Sequence, residues 1–285
     1  MRSNPMASAR QVREIEQHYW RYEGLPHMEL RSTEDSAQAY KSHSHNTFSI
    51  GALRAGRTRL SCGDTGVVIE PGDLVIIEPE RVHACNPIDG GLRSYHMLYV
   101  DSDWCLEQLS TLFERPIKQL SCDQLVVKDP CLYRTFLSLI EHLQQGAVAG
   151  ASALLDQMTL QLFAAYCSPV SPDETDTALS HQIKRGLLAN LVQPPPLQQL
   201  AAELGVSRET VIRAFRKRYG ITPKAFINNA RIEKAKALLK AGASIVDVSM
   251  AVGFSDQSQF HRAFVAYTAA TPRQYQQAGS LFDNI

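Results

Sequence analysis

The chain has 285 residues, of which 44% are hydrophobic and 20% charged, and its formal net charge is zero at pH 7. This composition indicates a folded globular protein of one large or two ordinary domains, and it excludes a disordered chain. No stretch approaches the roughly 20 apolar residues that span a bilayer, and the N-terminus lacks the apolar core of a secretory signal. We therefore expect a cytoplasmic protein without a membrane partner.

The six cysteines are scattered, and none forms a Cys-x-x-Cys pair. In a reducing cytosol such cysteines are typically buried thiols. A redox or soft-metal sensor, which is the alternative, would need an exposed and activated thiolate. The cysteines are Cys62, Cys85, Cys105, Cys122, Cys131 and Cys167.

The zero net charge is the sum of two halves of opposite sign. Residues 1–180 hold 15 Lys and Arg against 23 Asp and Glu, which is a net charge of −8. Residues 181–285 hold 14 against 6, which is a net charge of +8. A basic half is typical of a protein that binds the phosphates of nucleic acid, although a solvated basic surface gives the same count.

Short strands are predicted between residues 40 and 100. The segments are rich in Val, Ile and aromatic residues, and Gly or Pro separates them. Closely spaced short strands with such turns favour a small β-sandwich or β-barrel. The predicted strands are Phe48–Leu53, Arg57–Cys62, Val67–Ile69, Leu74–Ile77 and Ser94–Val100.

The hydrophobic period then changes to that of helices, over Asp103–Phe113, Cys131–Gln145 and Ser152–Cys167. Their apolar faces either cover the sheet or pair with a second copy of the chain. The segment that follows is polar, acidic and contains proline, which is typical of a link between two domains. We place this linker at residues 168–179.

An internal repeat marks the basic half. A short amphipathic helix followed by Gly, an apolar residue and Ser occurs at residues 197–207 and again at 245–255. Glycine allows the positive φ of a tight turn, and serine is a good N-cap for the next helix. Each copy therefore predicts a helix-turn-helix unit.

The second helix of each unit recurs as well. Val211 and Phe215 in the first unit, and Phe260 and Phe264 in the second, are spaced by four and are expected to pack inward. One extra residue separates the serine from this pair in the second unit. A Thr-Pro pair follows each of these helices and predicts a new helix with Thr as its N-cap. Residues 223–240 are predicted to form one long helix between the units.

The segment 253–264, with the following Thr271-Pro272 and Tyr275, resembles the signature of the AraC/XylS family of transcription regulators. The first unit and the connecting helix resemble the same family in matching order. Ala269 departs from the family pattern, which usually has glycine there. The resemblance implies an all-α DNA-binding domain at 180–277, in which a long helix joins the two units, followed by a tail at 278–285.

The resemblance also implies that the second helix of each unit enters the major groove of double-stranded promoter DNA. Side chains opposite the inward face then read base edges, where Arg suits guanine and Gln suits adenine. Arg213 and Arg262 hold matching places and are the first candidates. Glu209 and Asp256 repel phosphate, so they either accept from cytosine or serve the helix N-termini. The candidate DNA-binding residues are Arg208, Glu209, Ile212, Arg213, Arg216, Asp256, Gln257, Gln259, His261 and Arg262.

The region from His43 and His45 to His83 resembles the cupin-type sensor domain common in this family. The resemblance implies a cupin-like β-barrel with flanking helices at 1–167, which binds a small-molecule effector and mediates dimerisation. Histidines one residue apart on a strand face the same side. We take the three histidines as candidate effector-binding residues, with a structural hydrogen-bonding role as the alternative.

A metal-dependent cupin enzyme fused to a DNA-binding module is the alternative function. Three histidines can hold a divalent metal. Metal-dependent cupins, however, usually add a glutamate three to five residues after the His pair, where this chain has Phe48, Ser49 and Ile50. We therefore predict a protein that is not an enzyme, with no catalytic residue, no metal and no cofactor.

The patterns and the resemblance together predict an α+β protein that is a sequence-specific transcription regulator under the control of an effector. Its expected partners are promoter DNA, a small molecule, RNA polymerase and a second copy of the chain as a homodimer. A DNA-repair or architectural protein on the same two-unit scaffold is a third possibility. The cysteines are too scattered for the reactive zinc cluster of such a repair protein.

Overall fold

The computed structural model describes residues 12–63, 65–170 and 179–277. Residues 171–178 of the predicted linker and the predicted tail at 278–285 lie outside the described residues. Within the described ranges, no helix is both long enough and apolar enough to cross a membrane.

The N-terminal half contains the described strands of the protein, as its segments rich in Val, Ile and aromatic residues predict. In chain order they are β1 (Gln17–Trp20), β2 (Met28–Ser36), β3 (Thr47–Ala55), β4 (Thr58–Cys62), β5 (Thr65–Ile69), β6 (Leu74–Ile77), β7 (Ala84–Pro87), β8 (Arg93–Asp101), β9 (Leu120–Cys122), β10 (Val126–Val127) and β11 (Cys167–Pro169).

These strands pair antiparallel in separate sheets. A six-stranded sheet has the order β1-β2-β8-β3-β6-β10, and a three-stranded sheet has the order β5-β4-β7. The strand β11 pairs with β9 and reaches into residues 168–169, which the sequence assigns to the linker. The predicted sheet-rich domain is confirmed, while closure into one barrel stays a prediction.

The six-stranded sheet has apolar side chains on both faces because neighbouring residues of a strand point in opposite directions. On β3, Phe48 and Ile50 belong to the core shared with the helices, whereas Leu53 packs with the three-stranded sheet. On β8, Leu98 faces the helices and Tyr95 faces the small sheet. The central strands are therefore covered on both sides.

Helices cover one face of the large sheet. They are α1 (Ser102–Leu112), α2 (Pro130–Gln144) and α3 (Val148–Tyr166). The apolar stripe of α3 is buried against the sheet, where the rings of Phe163 and Phe48 meet edge to face with centroids 5.3 Å apart. The structure therefore agrees with the first interpretation of this stripe, in which it covers the sheet.

The described residues from 179 onward are helical, as predicted. The helices are α4 (Leu179–Ala189), α5 (Leu197–Glu203), α6 (Arg208–Tyr219), α7 (Pro223–Lys240), α8 (Ile245–Ala251), α9 (Gln257–Thr268) and α10 (Pro272–Gln277). The pairs α5–α6 and α8–α9 are the two helix-turn-helix units, and α7 is the long helix between them.

The N-cap of α9 is Asp256, so the sequence-based choice of serine is wrong for the second unit. In the first unit Ser207 caps α6 and accepts from the backbone N–H of Thr210. In the second unit Asp256 takes this role, one residue after Ser255. This shift accounts for the extra residue between the serine and the inward-facing pair.

Positive φ angles occur at the two predicted turn glycines and at the residues that end α6 and α9. Gly205 and Gly253 have φ angles of 66° and 86°. Gly220 ends α6 with φ 74°, and Ala269 ends α9 with φ 54° in the same left-handed region. This conformation costs an L-residue with a Cβ about 1–2 kcal/mol. The departure from the family pattern at 269 therefore keeps the turn but strains it.

Each helix-turn-helix unit has its own apolar core. The predicted inward pairs, Val211 with Phe215 and Phe260 with Phe264, are fully buried. The core of the second unit also includes Tyr19 from β1. A strand of the N-terminal half is therefore part of the hydrophobic core around α9.

Four of the six cysteines are buried, as predicted, but Cys131 is exposed, which corrects that expectation for one residue. Cys85 is half-buried, and burial of its thiol raises its pKa to about 12. It is therefore a neutral thiol at neutral pH rather than an activated thiolate.

Candidate functional site

The helices α6 and α9 present the candidate DNA-binding side chains to solvent. All ten candidates are exposed except Ile212, which is half-buried. Arg213 and Arg262 each lie midway between the two core residues of their helix. Their side chains therefore leave the two units from equivalent places.

Some of the candidate DNA-binding residues make hydrogen bonds or ion pairs at the N-termini of α6 and α9. Asp256 accepts from the backbone N–H of Gln259 at 2.7 Å, and the Oε1 of Gln259 accepts from the N–H of Ser255 at 3.2 Å. The bond from the Gln259 N–H lowers the pKa of Asp256. Glu209, in the first turn of α6, lies 3.7 Å from Arg208. Contact with cytosine and capping of the helix were the two roles predicted for Asp256, and in the structure it is the N-cap of α9.

A cavity lies between the central strands of the large sheet and the three-stranded sheet. Its volume is about 60 Å³. Since one water needs about 10–15 Å³ measured in this way, the cavity has room for several waters or a small ligand. Leu53, Ile69 and Val75 form an apolar part of its wall, and histidine, tyrosine and arginine side chains contribute a polar part.

The three candidate histidines meet in the wall of this cavity. The ring centroid of His43 lies 4.7 Å from those of both His45 and His83, which are 5.3 Å from each other. One ring nitrogen from each residue lies within 4.8 Å of the other two. Backbone hydrogen bonds of 2.9 and 2.8 Å run in both directions between residues 43 and 83. The two chain segments that carry the histidines are thus held side by side.

The hydrogen bonds of the rings fix the position of their protons. His43 Nδ1 lies 2.6 Å from the carbonyl oxygen of Lys41, and His83 Nδ1 lies 2.9 Å from that of Arg81. A carbonyl oxygen only accepts, so each Nδ1 carries the proton. The Nε2 atoms of both rings therefore keep a free lone pair.

Burial keeps these imidazoles neutral. It lowers the pKa of His83 to about 3, and the pKa of His43 falls well below its usual value because neighbouring histidines add to the effect of burial. Burial also lowers the pKa of His45, against the opposing influence of Glu233. At neutral pH the cluster consists of neutral rings that can accept hydrogen bonds or bind a cation.

Glu233 of α7 reaches the cluster from the DNA-binding half, which sequence reasoning missed. Its Oε1 lies 3.5 Å from His45 Nδ1 and 3.1 Å from Lys236 Nζ. Burial alone would raise the pKa of Glu233, but Lys236 and His45 outweigh it and lower the pKa to about 2. The carboxylate is therefore charged at neutral pH. No local sequence signal pairs residues so far apart in the chain.

Further contacts join the two halves beside the cluster. Asn229 of α7 is buried, accepts from the N–H of Ser44 at 3.3 Å and donates to the Ser44 carbonyl at 2.9 Å. Lys41 donates its backbone N–H to the carbonyl of Ala266 in α9 at 2.9 Å. The segment that carries His43 and His45 is therefore hydrogen-bonded to both α7 and α9.

Glu29 of β2 is a buried charge at the same boundary. Its Oε2 lies 2.6 Å from Arg21 Nε and 2.8 Å from Lys240 Nζ, and the hydroxyl of Tyr275 donates to it at 3.3 Å. Burial alone would raise the pKa of Glu29, but the two cations lower it overall. The local sequence does not predict the role of Glu29, because its partners come from other parts of the chain.

Two family models match the chain. The AraC-like ligand binding domain matches residues 25–163, and a helix-turn-helix domain matches residues 200–278. The chain is 26% identical over 242 residues to the uncharacterized HTH-type transcriptional regulator YbfI of Bacillus subtilis. This alignment covers 81% of this chain and 85% of YbfI. It is 36% identical over 94 residues to the virulence regulon transcriptional activator VirF of Yersinia enterocolitica, covering 33% of this chain and 35% of VirF.

The fold is shared with a solved regulator. The structure of ToxT from Vibrio cholerae with a bound unsaturated fatty acid aligns over 98% of both chains, with a TM-score of 0.55 and 13% identity. A ligand-binding, sheet-rich domain joined to two helix-turn-helix units defines a DNA-binding transcription regulator rather than an enzyme. The chain belongs to the AraC family of transcription regulators.

Proposed function

We propose that a small molecule bound in the cavity of the N-terminal half controls sequence-specific binding of promoter DNA by α6 and α9. One observation carries this proposal. His43, His45 and Tyr99 line the cavity and also line a cleft against the DNA-binding half, which Lys236 and Tyr267 complete. A ligand that moves the shared wall therefore also moves the contact with α7 and α9.

The free energy for this control comes from a difference in effector affinity between two arrangements of the halves. An effector that binds one arrangement more tightly raises its population by the ratio of the two affinities. The contacts of Glu233, Asn229 and Glu29 with the opposite half are those that would differ between the arrangements. Release of α7 would let the two recognition helices adopt the spacing of successive major grooves.

The charge of the cavity supports an effector with an anionic group. Arg93 lines the cavity, is 2% exposed, and donates to oxygens of Thr58, Cys85 and Gln38, all of them neutral. Its Nε has no hydrogen-bond partner among the described residues. A buried cation without a counter-charge is costly, and an acidic ligand would supply that charge. ToxT, with a fatty acid bound, shows that a related fold accommodates an acid.

In the DNA-binding half, the proposed base and phosphate contacts are the exposed side chains of α6 and α9. Arg213 and Arg262 contact bases, and Asp256 and Gln259 fix the start of α9 so that the neighbouring side chains are oriented. The full set proposed for the DNA interface, in which Asp256 and Gln259 act through the start of α9, is Arg208, Glu209, Ile212, Arg213, Arg216, Asp256, Gln257, Gln259, His261 and Arg262.

The remaining elements of the proposal rest on the family resemblance. The domains are 1–167 and 180–277, the sheets of the first enclose the effector as a cupin-like barrel, and the protein acts in the cytoplasm as a homodimer that contacts RNA polymerase. The homodimer has a direct test. Sedimentation of the full chain should give twice the 31.7 kDa mass of one chain, and a monomer at micromolar concentration would overturn this part.

Fluorescence anisotropy tests the main proposal. The full-length protein is titrated onto labelled DNA from upstream of its own gene and onto scrambled DNA of equal length, at several salt concentrations and with a panel of small organic acids. We expect tighter binding to the upstream DNA and a change of at least fivefold with one acid. Equal affinity for both DNAs in every condition would overturn the proposal.

A further inference from the structure

We propose that His43, His45 and His83 bind one divalent transition-metal ion, and that Glu233 holds the His45 ligand in place from the DNA-binding half. This metal site is inferred from the geometry of the three histidines and does not depend on which effector binds in the cavity. Imidazole nitrogens in this number suit Zn²⁺, Ni²⁺, Cu²⁺ or Fe²⁺.

The distances are close to those of a metal site. The three ring nitrogens lie within 4.8 Å of one another. Nitrogens that share Zn²⁺ at about 2.0–2.1 Å are about 3.4 Å apart in a tetrahedron, so metal binding requires the rings to approach by up to about 1.4 Å. Side-chain rotation of three neighbouring rings provides such a movement without a change of the backbone bridge between residues 43 and 83.

The outward-facing nitrogens have the partners that metal-binding histidines usually have. A histidine that binds a metal through one nitrogen nearly always gives the other N–H to a carboxylate or a backbone carbonyl. His43 Nδ1 meets the Lys41 carbonyl and His83 Nδ1 meets the Arg81 carbonyl. His45 Nδ1 faces the carboxylate of Glu233 at 3.5 Å without a hydrogen bond, and metal binding through Nε2 would orient its N–H toward that carboxylate. All three Nε2 atoms are thereby left for the metal.

The missing local glutamate, which argued against a metal in the sequence, has a substitute from another part of the chain. Glu233 supplies a negative charge next to the cluster, although it faces a ring nitrogen and not the position of the ion. Three protein ligands leave at least one coordination position for water or for a ligand in the cavity. Because the same three histidines line the cavity, a ligand in the cavity could reach an ion bound to them.

The site also couples metal binding to the arrangement of the two halves. His43, His45 and His83 lie in the N-terminal half, whereas Glu233 lies in α7 of the DNA-binding half. Metal binding therefore favours the arrangement in which α7 contacts the cluster. By linkage, separation of α7 weakens metal binding by the same factor.

The test uses chelator-treated, full-length protein titrated with Zn²⁺ against a chromophoric chelator, with metal content measured by mass spectrometry. We expect one Zn²⁺ per chain. His83→Ala should lower the affinity at least 100-fold, and Glu233→Gln should lower it by about 10-fold. The matched control is His96→Ala, because His96 is a buried histidine of the same cavity wall whose Nδ1 lies 2.6 Å from Ser32 Oγ, outside the cluster.

X-ray absorption of the wild-type zinc protein provides a measurement that does not depend on variants. We expect about three imidazole ligands and no sulfur neighbour. Absence of stoichiometric zinc, unchanged affinity in a folded His83→Ala protein, or a sulfur ligand from Cys85 would each overturn the site. DNA is absent from these measurements, so their failure leaves the anisotropy test of the regulator unaffected.

Discussion

His45 Nδ1 and Glu233 Oε1 face each other at 3.5 Å, and this pair joins the cavity of the N-terminal half to the helix that connects the two DNA-binding units. Asn229, on the same helix, is bonded through both its amide groups to the backbone of Ser44. A ligand that moves the segment 43–45 therefore acts directly on α7. The two units rest on that helix, so their relative position is the quantity that a ligand can change.

Loss of the Asn229 contacts should weaken the coupling between cavity and DNA. In Asn229→Ala the N–H and carbonyl of Ser44 lose their partner, which costs about 1–3 kcal/mol if they stay buried. We expect faster proteolysis between the two halves and a smaller effect of the acid ligand on DNA affinity. Asn228→Ala, one residue earlier on the same helix, is the control. Equal cleavage rates and ligand responses in the two variants would contradict this role of Asn229.

Arg213→Ala and Arg262→Ala should each weaken specific DNA binding. A lost Arg–guanine contact costs about 1–3 kcal/mol and relaxes base preference at one position. Anisotropy with the upstream DNA and with single-base variants of it measures both effects. Arg134→Ala, which removes an exposed charge from α2, serves as the control. If each variant loses the same affinity for scrambled DNA as for upstream DNA, the arginines contact phosphates and not bases.

Ala269→Gly should stabilise the protein. The left-handed conformation at this C-cap costs alanine about 1–2 kcal/mol, and loss of its buried methyl group offsets part of the gain, so we expect an increase of about 1 kcal/mol in unfolding free energy. The converse change, Gly220→Ala, places a Cβ in the same conformation at the end of α6 and should destabilise by a similar amount. Urea denaturation measures both. A less stable Ala269→Gly protein would show that the methyl group contributes more than the strain.

Glu29→Gln should cost much more stability than Lys240→Gln. The carboxylate of Glu29 is 6% exposed and balances the mostly buried Arg21, so its removal leaves a charge without a partner and costs about 3 kcal/mol or more. Lys240 is 42% exposed and water replaces its contact, so its removal costs less than about 1 kcal/mol. Denaturation at neutral pH measures the difference. Equal losses would mean that Arg21 finds another partner.

Stability should fall in acid partly because of His96. Burial lowers the pKa of this histidine from 6.5 to about 4, and Arg54 adds to the shift. The unfolded chain then binds the proton more readily, so this contribution is fully present above pH 6.5 and is lost as the pH falls through about 4. A shift of this size corresponds to about 3 kcal/mol.

Comparison of the wild type with His96→Asn isolates this contribution. Urea denaturation between pH 7 and pH 4 should show a shallower loss of stability in the variant, which has no ionisable group at position 96. Parallel pH profiles for the two proteins would show that His96 does not titrate in this range.

Local patterns in the sequence determined the elements of this protein. The two units, the helix between them and the glycine turns follow from the spacing of apolar residues, Gly and N-cap residues, because helix and turn preferences act over a few neighbours. The cap of α9 was placed one residue too early, since serine and aspartate are equally good N-caps and only the position of the buried Phe260 decides between them. The three histidines were also singled out from the sequence, His43 and His45 by their spacing and His83 by the family resemblance, but His43 and His45 precede β3 instead of lying on a strand, and only His43 forms an isolated bridge, to His83.

The tertiary structure alone decided what surrounds those histidines. Glu233, Asn229 and Glu29 have no mark in the local sequence, because each acquires its role from a partner that the fold brings from another element. The partner of the apolar stripe of α3 was likewise not determined by the local sequence, because either a sheet or a second chain could bury it. Side-chain periodicity specifies which face of a helix or strand is buried, whereas the identity of the surface that buries it depends on how all the elements pack.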